Sequence, residues 1–406
     1  MKNGPLKKEI KNMAEKTLPR LSEMFASANI NFLFGSGISK PYLPTLNNIE
    51  KDINDAKTDE DKAEKYKEYL EKVILPNINI ALNDFTKEKC FEWKGVKWEV
   101  QGDPEDNYKK VYEDYQNFLK TLAQLILDRK TTVVGKQVNI FTTNIDIFFE
   151  MALEALELHY NDGFLGKMNP VFDLSNFKQS TIQRSRHYDN RSEIPVFNLL
   201  KIHGSVNWKY KESEKVNPNR KIYLCSDLLH LDKTLLIKTG IDFITEYKNK
   251  ILVVNPEDAK FSETVLNKYY YELLRSYSSE LERENSVLFV IGFSMSDQHI
   301  QEITKRAARS NPTLQIYIFV HSKEGKNETG ARVDNKAEME KIMEVSKNPN
   351  IKIIAPEYED GDDAYNFNLQ TITNEVFQKI TLFKKTDLKL LTEEVRKISS
   401  NHEADE

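Results

Sequence analysis

The sequence predicts an α/β protein: a Rossmann-like parallel sheet with helices on both faces, plus a helical insertion and helical termini. Short apolar runs at 30–34, 138–142, 197–202 and 287–291 end in glycine or small polar residues. Central strands of a parallel sheet read this way, because both of their faces are covered. Stretches with apolar residues at helical spacing lie before, between and after these runs. With 39% hydrophobic residues in a chain of 406, there is enough apolar material for one sizeable core.

In chain order, Leu6, Ile10, Met13, Leu21 and Met24 fall at near-helical spacing, interrupted by Pro19. They are expected to form one or two helices packed on the sheet. Ile30, Phe32, Leu33 and Phe34 read as the first strand, and Gly35, Ser36 and Gly37 follow it. Two residues without Cβ allow a sharp turn and a close backbone approach, and N–H groups exposed at the start of a helix suit a phosphate. Lys40 stands where the dinucleotide fingerprint would place its third glycine. Pro41 and Pro44 stiffen the loop that follows. Residues 47–130 read as a helical insertion, either a cap over the crevice or an assembly surface. Within it, 50–73 is a charged, solvated helix face. Residues 91–98 alternate around Gly95 in the manner of a hairpin, and Val111, Tyr115, Phe118, Leu122 and Leu125 return to helical spacing.

The second strand delivers Thr142, Thr143, Asn144 and Asp146, with a helix expected over 147–158. Residues 159–195 are polar. His159 and His187 lack the paired spacing of metal ligands, and Arg184, Arg186 and Arg191 read as a solvated loop. The third strand ends in Ile202, His203 and Gly204. A strand is expected at 251–256 and a helix at 262–284, with Tyr269, Tyr270 and Tyr271 on the core side. The fourth run ends in Gly292, Phe293 and Ser294. Just beyond, Asp297 is placed either to accept from a ribose hydroxyl or to cap a helix. Strands at 315–320, ending near His321, and at 350–354 complete the sheet, and a helix carries Ile372, Val376, Ile380 and Phe383 on one face. With no internal repeat and no Gly/Ser-rich linker, the expected organisation is a single domain. Residues 28–46 and 131–355 form its core, 1–27 its leading helices, 47–130 the insertion, and 356–406 the closing helices and an acidic tail.

Lys and Arg number 58 against 63 Asp and Glu, a net charge of −5. No global positive field draws in DNA or RNA, so nucleic acid is not expected to bind directly without a local patch. The two cysteines, Cys90 and Cys225, fit a reducing cytoplasmic setting and are too few for a four-cysteine zinc module. The amino terminus lacks the apolar core of a signal peptide, and no apolar run reaches membrane-spanning length.

In an open parallel sheet, ligands bind outside the carboxyl ends of the strands. Strands ending in Gly-Ser-Gly, Thr-Asn-Ile-Asp, His-Gly and Gly-Phe-Ser would therefore pool their polar groups in one crevice. The order and type of these endings resemble the sirtuin family of NAD-consuming enzymes, across roughly residues 28–325. They look most like its bacterial antiphage-defence branch, whose members hydrolyse NAD+ and are paired in some systems with a HerA-type ATPase. The resemblance implies contacts to the dinucleotide from Gly35, Ser36, Gly37, Ser39, Thr143, Gly292, Ser294 and Asp297. It places Asn144 under the nicotinamide ribose and Asp146 near the carboxamide, and makes His203 the general base. Where sirtuins carry a Pro-Asp-Phe-Arg tetrad, this chain has Leu43, Pro44, Thr45 and Leu46. Thr143 replaces the family's glutamine, and the zinc ribbon's Cys-x-x-Cys pairs are missing.

The chemistry suits such groups. Nicotinamide leaves C1′ of the ribose through an oxocarbenium-like transition state, which needs an electron-rich face, exclusion of bulk water and one activated nucleophile. The expected activity is NAD+ glycohydrolysis with no zinc, by a homo-oligomer activated by a partner. The alternatives are an NAD-dependent protein deacylase and a non-catalytic nucleotide-binding assembly subunit.

Overall fold

The computed structural model describes residues 18–43, 49–74, 76–77, 104–129, 134–211, 221–225, 238–255, 268–322, 324–326, 332–356 and 366–383. Among them, seven strands form one wholly parallel sheet. They are β1 (Asn29–Phe34), β2 (Gln137–Thr142), β3 (Tyr160–Asn161), β4 (Val196–Lys201), β5 (Ser286–Ile291), β6 (Gln315–Phe319) and β7 (Ile351–Ile354). Their order is β7-β6-β5-β1-β2-β4-β3. From β1 the chain moves outward to β2, passes to β3 at the far edge and fills in β4 between them, then returns to β1's other edge for β5, β6 and β7. The carboxyl end of β1 is thus the point where the winding reverses, the position at which such sheets open a crevice.

Alternation along each strand explains why apolar residues occupy both faces of the runs. Phe32, Phe34, Ile140 and Phe289 point into one core, and Leu33, Phe141, Leu288 and Val290 into the other. The first core is closed by the helical residues 18–27, through Leu21 and Phe25, by α3 below and by 369–380. The second is closed by α6 (Lys268–Glu282), α7 (Gln298–Ser310) and α8 (Asn335–Ile342). Register is pinned by polar side chains at one level of three neighbouring strands. Asn139 Nδ2 donates to Asn31 Oδ1 at 2.9 Å, and Asn198 Nδ2 to Asn139 Oδ1 at 2.9 Å. A one-residue slip would put these amides among phenylalanines with no partner.

The insertion departs from expectation. α1 (Ile49–Asn54), α2 (Asp59–Tyr69) and α3 (Pro104–Leu127) are helical, while the hairpin read at 91–98 lies outside the described residues. α2 is not wholly a solvated face: Ala63, Tyr66 and Tyr69 are buried against Phe243 and Tyr247 of α5 (Gly240–Lys250). α3 packs one face into the first core and leaves the other exposed. Its Tyr115, Phe118, Leu119, Leu122 and Leu125 sit in the first core, beside Phe148 and Phe149 of α4 (Phe148–Ala155). A second correction concerns 251–256. Its described residues, 251–255, add no strand to the sheet; Val253 makes one antiparallel bridge to Gly204, and Val254 N donates to His203 O at 2.9 Å. The polar stretch 159–195 contains β3 and two small hairpin pairings, where a loop was expected. Tyr270 is buried as expected, whereas Tyr271 is exposed. No described helix is long and apolar enough to cross a membrane.

α3 also holds a carboxylate in the wrong medium. Asp114 is only 6% exposed, and burial pushes its pKa up to about 6, with Lys110 opposing and Glu113 adding. An acid whose folded pKa is raised favours the folded state below its unfolded pKa, and that contribution is lost as pH rises through the folded value. Asp114→Asn is therefore expected to stabilise the protein by about 1–3 kcal/mol above pH 7 and to change nothing below about pH 4. Thermal melts of both proteins at the two pH values check this.

Candidate active site

The four strand ends reach one level. Phe34 pairs with Thr142 and with Ile291, and Thr142 pairs with Lys201. Ser36, Asn144, His203 and Phe293 therefore each stand two residues past that common line.

Gly35 and Gly37 close this edge rather than hold it open. Gly35 N donates to Ile291 O at 3.1 Å, Gly37 N to Gly292 O at 2.9 Å, and Ile38 N to Gly35 O at 3.3 Å. A Cβ on Gly35 would lie 2.6 Å from Gly292 O, and one on Gly37 2.8 Å from the same atom. The glycines are needed so that two backbones can touch, and their N–H groups are engaged inside the protein instead of facing outward as the phosphate donors expected from the sequence. Ser36, Ser294 and Ser296 are exposed hydroxyls at this edge, and Ser294 Oγ donates to Ser296 Oγ at 3.0 Å.

Ser39 faces inward and is 1% exposed. Its Oγ donates to Asp146 Oδ2 at 3.0 Å, lies 2.8 Å from Tyr115 OH, and accepts from Asn144 Nδ2 at 3.2 Å. Asn144 Nδ2 also reaches Tyr115 OH at 3.5 Å, and Asn144 N donates to Thr142 Oγ1 at 3.0 Å. The amide of Asn144 is thus anchored through its nitrogen, while Oδ1 is buried with no hydrogen-bond partner among the described residues. Thr143 is tied to β1 through Phe34 O, by its N–H at 3.0 Å and its hydroxyl at 3.3 Å.

Asp146 is 4% exposed, and burial raises its pKa; Lys201 and the Phe148 N–H oppose that shift. Its Oδ1 accepts from Phe148 N at 3.1 Å, starting α4. The countercharge, Lys201, ends β4 with its side chain 3% exposed. It donates to Glu150 Oε1 at 2.9 Å, to Ser205 Oγ at 2.7 Å and to the backbone oxygen of Asp146. Asp162 stands in the same field; burial pushes it up to about 6, with Glu150 adding to the shift. Lys201 thereby ties the loop after β2 to the turn after β4, and Val206 N→Ile145 O at 3.1 Å makes a second tie.

That turn carries His203. Gly204 has φ +78°, and a Cβ there would sit 2.2 Å from Leu252 O, so the histidine is followed by a residue only glycine can be. His203 Nε2 lies 3.2 Å from Asp297 Oδ2. The other oxygen, Oδ1, caps α7 by accepting from His299 N at 3.0 Å and Ile300 N at 3.3 Å. The two readings left open for Asp297 thus resolve toward the cap, with an added role facing His203. A carboxylate against Nε2 fixes the proton there and leaves the lone pair on Nδ1. Asn144 and His203 therefore stand at adjacent strand ends, one with an acceptor that no described residue uses and one with its ring against a carboxylate.

Comparison with known families decides the grouping. The model of the SIR2-like domain matches residues 138–345, just over half of the chain. The chain belongs to the SIR2-like family. The matched span holds Asn144, Asp146, Lys201, His203, Gly292, Ser294 and Asp297, whereas β1 and its glycine turn precede it. A solved structure from work on the "Structural Basis for the Mechanism and Regulation of Sir2 Enzymes" aligns over 91% of this chain and 98% of its own, at 9% identity and a TM-score of 0.35. No curated protein matches the chain. SIR2-like proteins use NAD+. Among the described residues, no three His, Cys, Asp or Glu side chains group as a metal site.

Three of the site's members were not foreseen: Tyr115, Lys201 and Glu150. Lys201 carried a signal, a lone cation inside an apolar strand run, which is rare without a buried partner. Tyr115 carried none, since helical spacing assigns it to a core and says nothing of its hydroxyl.

Proposed function

We propose that this SIR2-like protein is an NAD+ glycohydrolase of a bacterial antiphage defence system, cleaving the nicotinamide–ribose bond to nicotinamide and ADP-ribose. The observation that carries the reading is the pairing of a buried, unpartnered Asn144 Oδ1 with the carboxylate-oriented imidazole of His203. Asn144 Oδ1 accepts a proton of the attacking water and so aims the water's lone pair. His203 Nδ1 takes the other proton as the C1′–oxygen bond forms, while nicotinamide departs with the electron pair of the C1′–N bond. Asp297 holds the ring and stabilises the imidazolium, as an orienting carboxylate does behind a catalytic histidine. Asp146 acts through Ser39, whose hydroxyl it accepts from. Ser36 and Ser294 are the exposed groups for the phosphates, and Gly35, Gly37 and Gly292 keep that edge closed.

Water is the acceptor because this chain lacks the cysteines of the zinc ribbon that frames an acyl-lysine in deacylating sirtuins. The sequence resemblance supports pairing with a HerA-type ATPase, with loss of NAD+ as the output that halts an infected cell, and the amphipathic stretches before, between and after the strands support homo-oligomers. The test is to incubate the purified chain with NAD+, with and without an acyl-lysine peptide, and to separate the products by chromatography. Equal nicotinamide and ADP-ribose in both arms is expected. Acyl-ADP-ribose formed only with peptide would move the protein to the deacylases, and NAD+ bound but left intact would make it a binding subunit.

A further inference from the structure

We infer that Tyr115, from the helix α3 of the insertion, is a positioning residue that sets the orientation of the Asn144 carboxamide. The inference rests on the water-holding role proposed for Asn144. A count of protons at the buried cluster carries it. Ser39 has one proton, and it points to Asp146 Oδ2. Ser39 Oγ lies 2.8 Å from Tyr115 OH, so that contact is filled by the tyrosine's proton. Both oxygens then have only lone pairs left for Asn144, at 3.2 and 3.5 Å, and only the NH2 end of the amide satisfies them. A flipped Asn144 would set its oxygen against two oxygens with no proton to give. The arrangement thus forces Oδ1 to the opposite side, where it is buried and unpartnered. Tyr115 is fully buried, and its pKa is raised well above the ordinary value by burial, with the Asp146 charge adding, so it remains a donor.

Tyr115→Phe removes the donor to Ser39 and one of the two acceptors for Asn144 while keeping the ring between Phe148 and Phe149. Ser39 then turns to other partners, and the amide loses the reason for its orientation. The expected result is a fall in kcat for NAD+ hydrolysis of roughly tenfold to a hundredfold, with NAD+ affinity within about threefold of wild type. A merely structural hydroxyl would lower the melting temperature and leave kcat of the folded fraction unchanged. Wild type, Asn144→Ala and Tyr115→Phe are assayed together, with binding by calorimetry. If wild type leaves NAD+ intact, the proposed function fails. If wild type turns over, Asn144→Ala does not, and Tyr115→Phe keeps wild-type kcat, the positioning inference alone is overturned. Ser39→Ala, which keeps Tyr115 but removes the hydroxyl between it and Asp146, is expected to give a loss of the same order. Wild-type kcat for that variant would likewise contradict the relay.

Discussion

Asn144→Ala is expected to reduce NAD+ hydrolysis by about a hundredfold to ten-thousandfold while the protein stays folded and still binds the dinucleotide. The side chain is 5% exposed, but its removal leaves behind a hydroxyl pair, Ser39 and Tyr115, that still satisfy each other and Asp146. No charge is uncovered, so the structural cost is small beside the catalytic one. His203→Ala should match it in size, since it removes the group that takes the proton. The effects should not multiply in the double variant, because both residues serve one water. Turnover is read from nicotinamide release, binding from calorimetry and folding from melting temperature. A His203→Ala protein with wild-type kcat and a lowered melting temperature would make this histidine a partner of Asp297 only.

Lys201→Met is expected to destabilise the fold by about 3–5 kcal/mol, because it leaves two carboxylates near each other without their cation. Glu150, with its side chain 12% exposed, loses its ion pair, and Glu150 Oε2 already lacks a hydrogen-bond partner among the described residues. Asp146, whose pKa burial already raises, loses the charge that opposes that shift. The loss should shrink as pH falls and Asp146, whose pKa is raised, takes up a proton, so denaturant melts at pH 7.5 and pH 5 separate this cause from simple loss of packing. Glu150→Gln with Lys201→Met should recover part of the stability, since the double change removes the charge of both partners. An equal loss at both pH values would show that the ammonium does no electrostatic work there.

The strands were legible in the sequence because a parallel sheet covered on both faces leaves few polar positions to blur the run, as in 287–291 and, Asn31 apart, in 30–34. Their endings were legible for the same reason, glycine and small polar residues breaking an apolar stretch. Residues 251–256 were misread because a buried extended segment has the composition of a strand whether or not it joins the sheet. The glycine turn was placed correctly but its N–H groups were not: only the neighbouring β5 decides that they bond to Ile291 and Gly292. The contacts of Tyr115 with Ser39 and Asn144 span 76 and 29 residues, and periodicity cannot report where a helix's hydroxyl ends up across such distances. The asparagines at 31, 139 and 198 are of the same kind, since each means little until register puts it beside the next.

The central claim is that Asn144 and His203 together direct water at C1′ of NAD+. The most direct measurement is the time course of NAD+ incubated with purified wild-type and Asn144→Ala protein, resolved by chromatography. The account predicts nicotinamide and ADP-ribose appearing one to one with wild type, and NAD+ bound but persisting with the variant. Equal rates from the two proteins, or NAD+ left intact by both, would contradict it.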